Sequence, residues 1–480
     1  MRSSKLLVLA LALSIATTAC PAGYFNVCDD GACDAVDASS DSPPDVRPDV
    51  AGCDLAKEPK DSLPCLDDSI GVFVSPTGSD SNDGTKAKPV ATLGKALAIV
   101  ANKPRIYVCE GTYAEDLTIN KSVSMYGGFA CSTWGYTGTK PVVGKSSTPL
   151  RVSGVSVAMT LEDLDVRAAS GASAGESSIG ATILNSTVSF VRMKLAAGKG
   201  QPGASPAQPG QSSKATDGVS SIGSGGGGPC SNVCSDGTSL GGKGSDVGNG
   251  NADPGLPFYG GTYPNNGGKG TDSTACGSGG GGGVGVAGSA ASLASGATTL
   301  GTVTTSWTPT SGATGAAGAR GQGGGGGGAR AGGGGGGGCG GCGGAGGPGG
   351  GGGGASIAVL AISSNVTLSE SELAASDAGS GGKGALGALG QPPGAGGNGF
   401  TASPSGCAGG DGGQGGGGGA GGGGSGGVSV GILYKGTKPT TDTATDGKIT
   451  FGTKGNKGLG GSSPTNDGLD GVAQAVLQAP

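Results

Sequence analysis

The chain has 480 residues, of which 114 are glycine, 4% are aromatic and 13% are charged. Its net charge is −5 and it contains no histidine. It therefore offers no basic surface for nucleic acid, and Ser-His-Asp, Cys-His and His-ligated metal sites are excluded. Glycine fills 26 of the 34 positions from Gly321 to Gly354, whereas Ile70 to Leu195 has an ordinary composition. The chain thus combines a normal core, long enough to bury apolar surface, with glycine-rich excursions.

The amino terminus, MRSSKLLVLALALSIATTAC, predicts a secretory signal over residues 1–19, because two cations precede an apolar run too short to span a bilayer. The stretch from Thr17 to Cys20 resembles a bacterial lipobox, which implies that Cys20 is lipidated. Thr17 stands where leucine is usual, and the alternative is an ordinary signal peptide. Since Pro21 follows, the resemblance implies an exported lipoprotein in the outer membrane of a diderm bacterium, exposed at the surface.

Residues 20–69 are rich in Asp, Pro and Ser, as in DAVDASSDSPPDVRPDV. Low hydropathy, like charges and proline predict an extended tether between the lipid and the body of the protein.

Thirteen cysteines leave an even twelve once Cys20 is set aside, and in an exported protein this predicts disulfides. Proximity along the chain favours the pairs Cys28–Cys33, Cys53–Cys65, Cys109–Cys131 and Cys230–Cys234. The remaining four are Cys276, Cys339, Cys342 and Cys407. The C-x-x-C of Cys339 and Cys342 matches zinc knuckles and thioredoxins, but an oxidising compartment favours a local disulfide staple. We expect no metal and no cofactor.

The most informative segment runs from Val72 to Phe129. Thr92 can cap a helix whose single apolar face carries residues at i, i+3, i+4, i+7 and i+8, namely Leu93, Ala96, Leu97, Val100 and Ala101. Strands are predicted around residues 106–108, 117–119 and 123–126. The segment, with VSPTGSDSNDGT and KPVATLGKAL, resembles the opening of pectate-lyase-like right-handed parallel β-helix proteins, in particular a domain of unknown function, DUF1565. The resemblance covers about sixty residues and implies that the helix caps the amino-terminal end of the solenoid.

An internal repeat supports an all-β fold of this kind. Residues 178–200 align without gaps on residues 356–378, with seven of 23 positions identical, and residues 157–171 align on the same repeat after a shift of 29. Stacked coils would form interior ladders. The predicted ladders are Met159, Val188 and Val366; Leu161, Phe190 and Leu368; and Val166, Leu195 and Leu373.

Outward positions predict a structural charge ladder with alternating signs. One column holds Asp163, Arg192, Glu370 and Lys448, and the next holds Asp165, Lys194 and Glu372. Arg192 should therefore lie between Asp163 and Glu370. Asp163, Asp165 and Arg192 are also weak catalytic candidates, because polysaccharide lyases and hydrolases of the fold that this chain resembles cluster acids and a base on one face. The charge ladder accounts for more of the residues.

The glycine-rich stretches follow the repeats and are predicted to be insertions at one corner of successive coils. The resulting domains are a β-helix over 70–197, an insertion over 198–354, one coil over 355–375, a second insertion over 376–427, and final coils with a tail over 428–480. The insertions resemble the GGAGG tracts of PGRS-type surface proteins. Because glycine has no Cβ, such segments can lie side by side, so disorder is not the only outcome.

The sequence favours a non-enzymatic surface lipoprotein whose β-helix displays glycine-rich loops for adhesion or for contact with matrix or polysaccharide. Its expected partners are the membrane, through the lipid, and a polysaccharide or matrix. The alternative hypothesis is a membrane-anchored polysaccharide lyase or glycoside hydrolase. A third hypothesis is that the protein serves as a structural filler or immunological decoy.

Overall fold

The computed structural model describes residues 50–258, 266–272, 274–278, 280–401 and 403–479. Three sheets, in which all neighbouring strands run parallel, form the main body. The strands are numbered in chain order. The first sheet contains β1 (Gly71–Val74), β2 (Arg105–Cys109), β5 (Ser124–Phe129), β8 (Met159–Glu162), β11 (Thr187–Val191), β18 (Asn365–Ser369) and β21 (Thr440–Thr441). The second contains β4 (Leu117–Ile119), β7 (Leu150–Ser153), β10 (Ser178–Leu184), β17 (Ser356–Ile362), β20 (Ser429–Lys435) and β23 (Ala473–Gln478). The third contains β3 (Thr112–Tyr113), β6 (Val142–Val143), β9 (Asp165–Arg167), β12 (Lys194–Ala196), β19 (Glu372–Ala374) and β22 (Ile449–Thr450).

The chain visits the first, third and second sheets in turn, which is the winding of a parallel β-helix. The predicted fold class is therefore confirmed. Both predicted offsets are present, since Ser178 pairs with Ser356 and Val188 pairs with Met159. All nine predicted ladder residues are buried in one apolar core. Repetition of apolar residues at coil spacing was thus sufficient to fix the register.

Helix α1 (Leu93–Ile99) lies at the amino-terminal end of the solenoid, as the resemblance implied. The Thr92 hydroxyl accepts a hydrogen bond from the Lys95 N–H at 3.1 Å, which is an N-cap. Leu93 and Ala96 are fully buried. The helix is shorter than its apolar pattern, because Ala101 lies beyond the end with a φ of 48° and is exposed.

The N-terminal segment, residues 50–69, packs on the outer face of the first sheet. Its Cys65 carbonyl accepts a hydrogen bond from the Tyr107 hydroxyl at 2.5 Å, and buried Arg105 donates to the carbonyls of Leu55 and Lys57 at 2.9 and 2.8 Å. Beneath it lies an aromatic cluster of Phe73, Tyr107, Tyr126, Phe129 and Trp134. The folded body therefore begins before the predicted tether boundary at residue 69, because the disulfide Cys53–Cys65 and these contacts fix a segment whose composition is that of a linker.

The second sheet is covered on both faces. A hairpin of β15 (Gly301–Val303) and β16 (Trp307–Pro309) lays Val303 and Trp307 against its outer side, and the solenoid core covers the inner side. This explains why all seven residues of β17 are apolar or small and buried, without the alternation of a half-exposed strand.

The described residues of the glycine-rich insertions are ordered. They form extended arms that hydrogen-bond to one another at every third residue, the period of the polyproline II helix. The arms are A (198–221), B (280–298), C (310–328), D (333–354), E (377–400), F (405–427), G (453–461) and H (466–471). For example, the N–H groups of Gly312, Gly315 and Gly318 donate to the carbonyls of Gly350, Gly347 and Gly344, each at 2.9 Å.

Arm F lies inside this glycine bundle, with hydrogen bonds to six other arms. Its bonds include Gly418 N–H to Ala388 O in E, Gly419 N–H to Ala316 O in C and Gly423 N–H to Asn466 O in H. Carbonyl groups of arm F also accept hydrogen bonds from Gly344 N–H of arm D, Ala291 N–H of arm B and Gly458 N–H of arm G. Arm D similarly contacts A, C, E and F. Where two arms touch there is no room for a side chain: a Cβ on Gly344 would lie 2.1 Å from the Ala388 carbonyl oxygen.

Most arms are continuous in sequence with a strand of the third or the second sheet. Arms A, E and G continue from β12, β19 and β22 of the third sheet, whereas D, F and H lead into β17, β20 and β23 of the second sheet. All insertions therefore leave and return at one corner. Arm D, with 22 residues, extends about 70 Å if its rise is that of polyproline II.

Disulfides Cys53–Cys65 and Cys109–Cys131 form as their spacing predicted. The predicted pair Cys230–Cys234 and the local staple within the C-x-x-C are wrong. Cys230 pairs with Cys339 and Cys234 with Cys342, so the hairpin of β13 (Ser231–Cys234) and β14 (Gly237–Leu240) is fastened to arm D. Cys276 pairs with Cys407 in arm F. Residues 230–234 run in the same direction as residues 339–342 of arm D. Each cysteine of the hairpin therefore lies opposite a cysteine that is 109 or 108 residues away in sequence. Cys20, Cys28 and Cys33 lie outside the described residues.

Candidate functional site

The turn between the first and third sheets positions the charged residues that the sequence singled out. Asp163, Arg192 and Glu370 have left-handed φ values of 54°, 49° and 51° and occupy equivalent positions in successive coils. Arg192 lies between the other two, as predicted. The turn repeats because each coil needs the same reversal after its first strand.

The placement of Lys448 in this column is wrong. Leu368 pairs with Thr441 and Leu373 with Ile449, so the chain advances eight positions between these two strands in the last coil and only five in the coil before. The extra residues form helix α2 (Thr443–Asp446). Lys448 consequently joins the second column, where its ammonium lies 3.5 Å from Glu372. That column, Asp165, Lys194, Glu372 and Lys448, alternates in sign along the solenoid.

Arg192 is the centre of a charge cluster. Its guanidinium donates to Asp163 at 3.1 and 3.2 Å, to Glu58 at 2.9 and 3.3 Å, and to Glu162. Asp163 also accepts from the Lys140 ammonium at 2.7 Å and from the Tyr136 hydroxyl at 2.8 Å. The side chains of Asp163 and Glu162 are 1% and 3% exposed. The cluster therefore brings three carboxyl groups together with Arg192 and Lys140 at the edge of the N-terminal segment.

The carboxyl groups of Glu162 and Glu58 have different pKa values because their surroundings differ. Burial, together with the charge of Glu58, raises the pKa of Glu162 to about 8. Burial opposes ionisation of Glu58 as well, but hydrogen bonds from Arg192 and Lys60 hold its pKa below the ordinary value. One oxygen of Glu162 is buried without a hydrogen-bond partner. The two groups therefore differ in proton affinity although they share Arg192.

Of the three weak catalytic candidates, the structure brings together Asp163 and Arg192 but not Asp165. The Asp165 carboxylate is instead bound by its neighbour Arg167, with contacts of 2.5 to 3.1 Å. Glycoside hydrolysis needs two carboxyl groups flanking a substrate cleft, whereas Glu162 and Asp163 lie against one guanidinium. The arrangement ties the N-terminal segment to the coils through Glu58.

Sequence reasoning missed Glu58, Glu162, Lys140 and Tyr136. Glu58 lay in a stretch predicted to be a tether, and nothing in the local pattern marks it. Glu162 directly precedes Asp163, and its outward position on β8 was the one available signal. Among the residues that the structure describes, no group of three acidic or cysteine side chains is arranged to hold a metal.

A second candidate surface lies on the glycine bundle, where arms A, E and G run side by side in parallel. One groove of about 400 Å³ is lined by Lys199, Gln201, Asp377, Ser380, Thr453 and Lys454. A second, of about 270 Å³, follows along the same arms and is lined by Ser205, Pro206, Gln208, Lys383 and Leu386. Together they present hydroxyl, amide and ammonium groups along one bundle face, hereafter the groove face.

Two features shape the groove face. Pro206 and Pro209 cannot donate from the backbone, and the amides of Gln208 and Gln211 donate instead to Gly387 and Gly390 of arm E, both at 3.0 Å. Asp377 accepts from the backbone and hydroxyl of Thr453 and from Lys199, which lowers its pKa to about 2. Hydrogen bonds therefore hold the side chains of Gln208 and Asp377 in place along the groove face.

Within the described ranges, no helix has the length and apolar character needed to cross a bilayer. The described disulfides indicate an extracellular or exported protein.

Comparison with known proteins covers only part of the chain. A 51-residue stretch is 45% identical to the uncharacterized protein YwoF of Bacillus subtilis, and it covers 11% of this chain and 11% of that protein. No solved structure is significantly similar to this chain. Residues 76–191, from just after β1 to the end of β11, match the family described as protein of unknown function DUF1565.

Proposed function

We propose that the protein is an outer-membrane lipoprotein, anchored through Cys20, that displays its glycine bundle for contact with extracellular polysaccharide or matrix. The observation that carries the proposal is the order of the bundle. Arms D and F, which lie between other arms, consist mainly of glycine, so most polar side chains of the bundle belong to the other arms. A bundle that projects about 70 Å from the solenoid and is held together mainly by backbone contacts presents a fixed outer surface.

The groove face supports a polysaccharide as the partner. Sugars expose closely spaced hydroxyl groups, and hydroxyl, amide and charged side chains in fixed positions bind them through several hydrogen bonds at once. Gln201, Ser380 and Asn456 line the larger groove, between Lys199 and Lys454. Lys383 in the smaller groove favours acidic polymers in addition, whereas the ammonium groups of Lys199 and Lys454 lie 3.1 and 3.6 Å from Asp377 and Asp470.

The test is binding of the full chain, in detergent, to immobilised neutral and acidic polysaccharides. A groove variant with Lys199→Glu, Lys383→Glu and Lys454→Glu is compared with a control variant carrying Lys86→Glu, Lys88→Glu and Lys145→Glu, which makes the same charge change on exposed solenoid sites. We expect the wild type and the control to bind and the groove variant to lose at least tenfold in affinity. Equal binding by both variants, or no binding by the wild type, would overturn the proposal.

The alternative, an anchored lyase or hydrolase, makes a different prediction. It requires that the wild type release unsaturated or reducing ends from pectin or alginate-like polymers and that Asp163→Ala or Arg192→Ala abolish the release. Because both side chains are held in the charge cluster, a separate folding measurement on each variant must accompany the assay.

A further inference from the structure

The two ends of the solenoid differ in how their edges are protected. At the amino-terminal end, residues 84–90 run along β1, with Val90 bridged to Val74 and bonded to Phe73 and Ser75. Helix α1 covers the core there. Solenoids generally need such caps, because an uncovered end exposes both core and backbone.

At the other end, β23 is the outermost strand of the second sheet, and in the described structure it pairs with β20 alone. The N–H of Ala479 donates to Tyr434 of β20. Since backbone groups alternate in direction along a strand, the N–H of Gln478 points away from β20. Below the edge, Ile449 and Val476 of the core are only partly buried, and Phe451 is 45% exposed.

The chemistry of this edge differs from that of protected edges. Native edges are blocked by charge, proline or a bulge. β23 has the sequence AQAVLQ over six residues and carries neither charge nor proline, and the nearest such residues in sequence are Asp470 and Pro480. On the outer side of β23 the Gln474 side-chain amide donates to the Val476 carbonyl at 2.7 Å, so strand addition must displace this hydrogen bond, whereas the N–H of Gln478 is directed at an added strand.

We propose that β23 pairs antiparallel with β23 of a second copy, so that two solenoids join end to end about a twofold axis. A twofold places the same strand opposite itself, which is unfavourable when the strand carries charge, because like charges then face each other. AQAVLQ avoids this conflict. The rim of the same end carries both signs, for example Lys438 and Asp446, so a twofold allows opposite charges to meet.

The proposal is tested by measuring the mass of the full chain by light scattering over a concentration series. Cys20→Ser is included throughout, so that a lipid anchor does not contribute to association. Gln478→Pro removes the outward N–H while leaving the bonds to β20, and Gln478→Ala is the matched control that retains the N–H. We expect the parent and Gln478→Ala to be dimers and Gln478→Pro to be a monomer.

Hydrogen exchange of the carboxyl-terminal peptide provides a second measurement. Protection of that peptide should rise with protein concentration in the parent and in Gln478→Ala, but not in Gln478→Pro. A monomeric parent at every concentration, or a Gln478→Pro variant with the same mass and protection as the parent, would overturn the proposal. Neither result bears on polysaccharide binding at the groove face.

Discussion

Arm F contains adjacent glycines in opposite environments, and alanine substitution there tests the bundle directly. A Cβ on Gly418 would lie 2.1 Å from the Ala345 carbonyl oxygen of arm D, whereas a Cβ on Gly417 would meet only the Ala388 carbonyl oxygen, at 3.9 Å. Neither glycine has a positive φ. The two substitutions therefore differ in space and not in backbone conformation.

The structure gives the size of the effect. Carbon and oxygen atoms do not approach within 3.0 Å, so Gly418→Ala requires arms D and F to separate by about an ångström. Arm D cannot yield easily because it is held by arms A, C and E as well. Overpacking costs about 1–3 kcal/mol, and each displaced backbone hydrogen bond adds about 0.5–1.5 kcal/mol. We expect Gly418→Ala to destabilise the bundle by about 3 kcal/mol.

Gly417→Ala is expected to be neutral or to stabilise by about 0.4–1 kcal/mol, because alanine restricts the unfolded chain at a compatible position. The assay is native-state hydrogen exchange of peptides from arms D and F, under oxidising conditions, for both variants and the wild type. Exchange reports local opening of the bundle separately from unfolding of the solenoid. Equal protection in the two variants would refute the inference that close packing of backbones dictates glycine at enclosed positions.

Three further predictions concern charge and covalent connectivity. Because the pKa of Glu162 is raised from 4.5 to about 8, the folded state holds the proton more tightly. The stability that Glu162 contributes is therefore complete below pH 4.5 and lost as the pH rises through 8. In urea denaturation at a series of pH values, Glu162→Gln should reduce this fall in the free energy of unfolding. The same dependence on pH in the variant and the wild type would contradict the assignment. Arg192→Met should destabilise by about 3 kcal/mol because it removes the guanidinium that Glu58, Glu162 and Asp163 share. In the same denaturation assay Arg167→Met, at a side chain 56% exposed, should cost less than about 1 kcal/mol. Non-reducing peptide mapping should recover Cys230–Cys339, Cys234–Cys342 and Cys276–Cys407, and recovery of a Cys339–Cys342 peptide would contradict the fastening of the hairpin to arm D.

Repeated coils made the solenoid predictable from sequence. Interior positions such as Phe190 and Leu368 recur at a fixed offset because they stack directly on one another. The prediction failed at Lys448, where helix α2 changes the length of the coil and a gapless alignment cannot detect the change. Local spacing likewise found the disulfides of short loops, while Cys230–Cys339 depends on two segments 109 residues apart in sequence.

The charge cluster was only partly predictable. The column of Asp163 and Arg192 follows from the repeat, but Glu58 reaches Arg192 from a segment 134 residues earlier in the chain, and no periodicity connects them. The bundle posed a different difficulty. Glycine carries no side-chain pattern, so the identity of neighbouring arms is determined by backbone hydrogen bonds and by the corner from which each arm departs.

An interior of peptide groups also has a thermodynamic signature distinct from that of the solenoid. Exposing apolar surface raises the heat capacity, whereas exposing polar surface lowers it. Unfolding of arms D and F exposes mainly backbone amides and little hydrocarbon. The free energy of unfolding of the glycine bundle should therefore vary almost linearly with temperature, without the curvature that makes an apolar core less stable in the cold. A single protein would then contain two bodies with different responses to cooling, joined at one corner of the same coils.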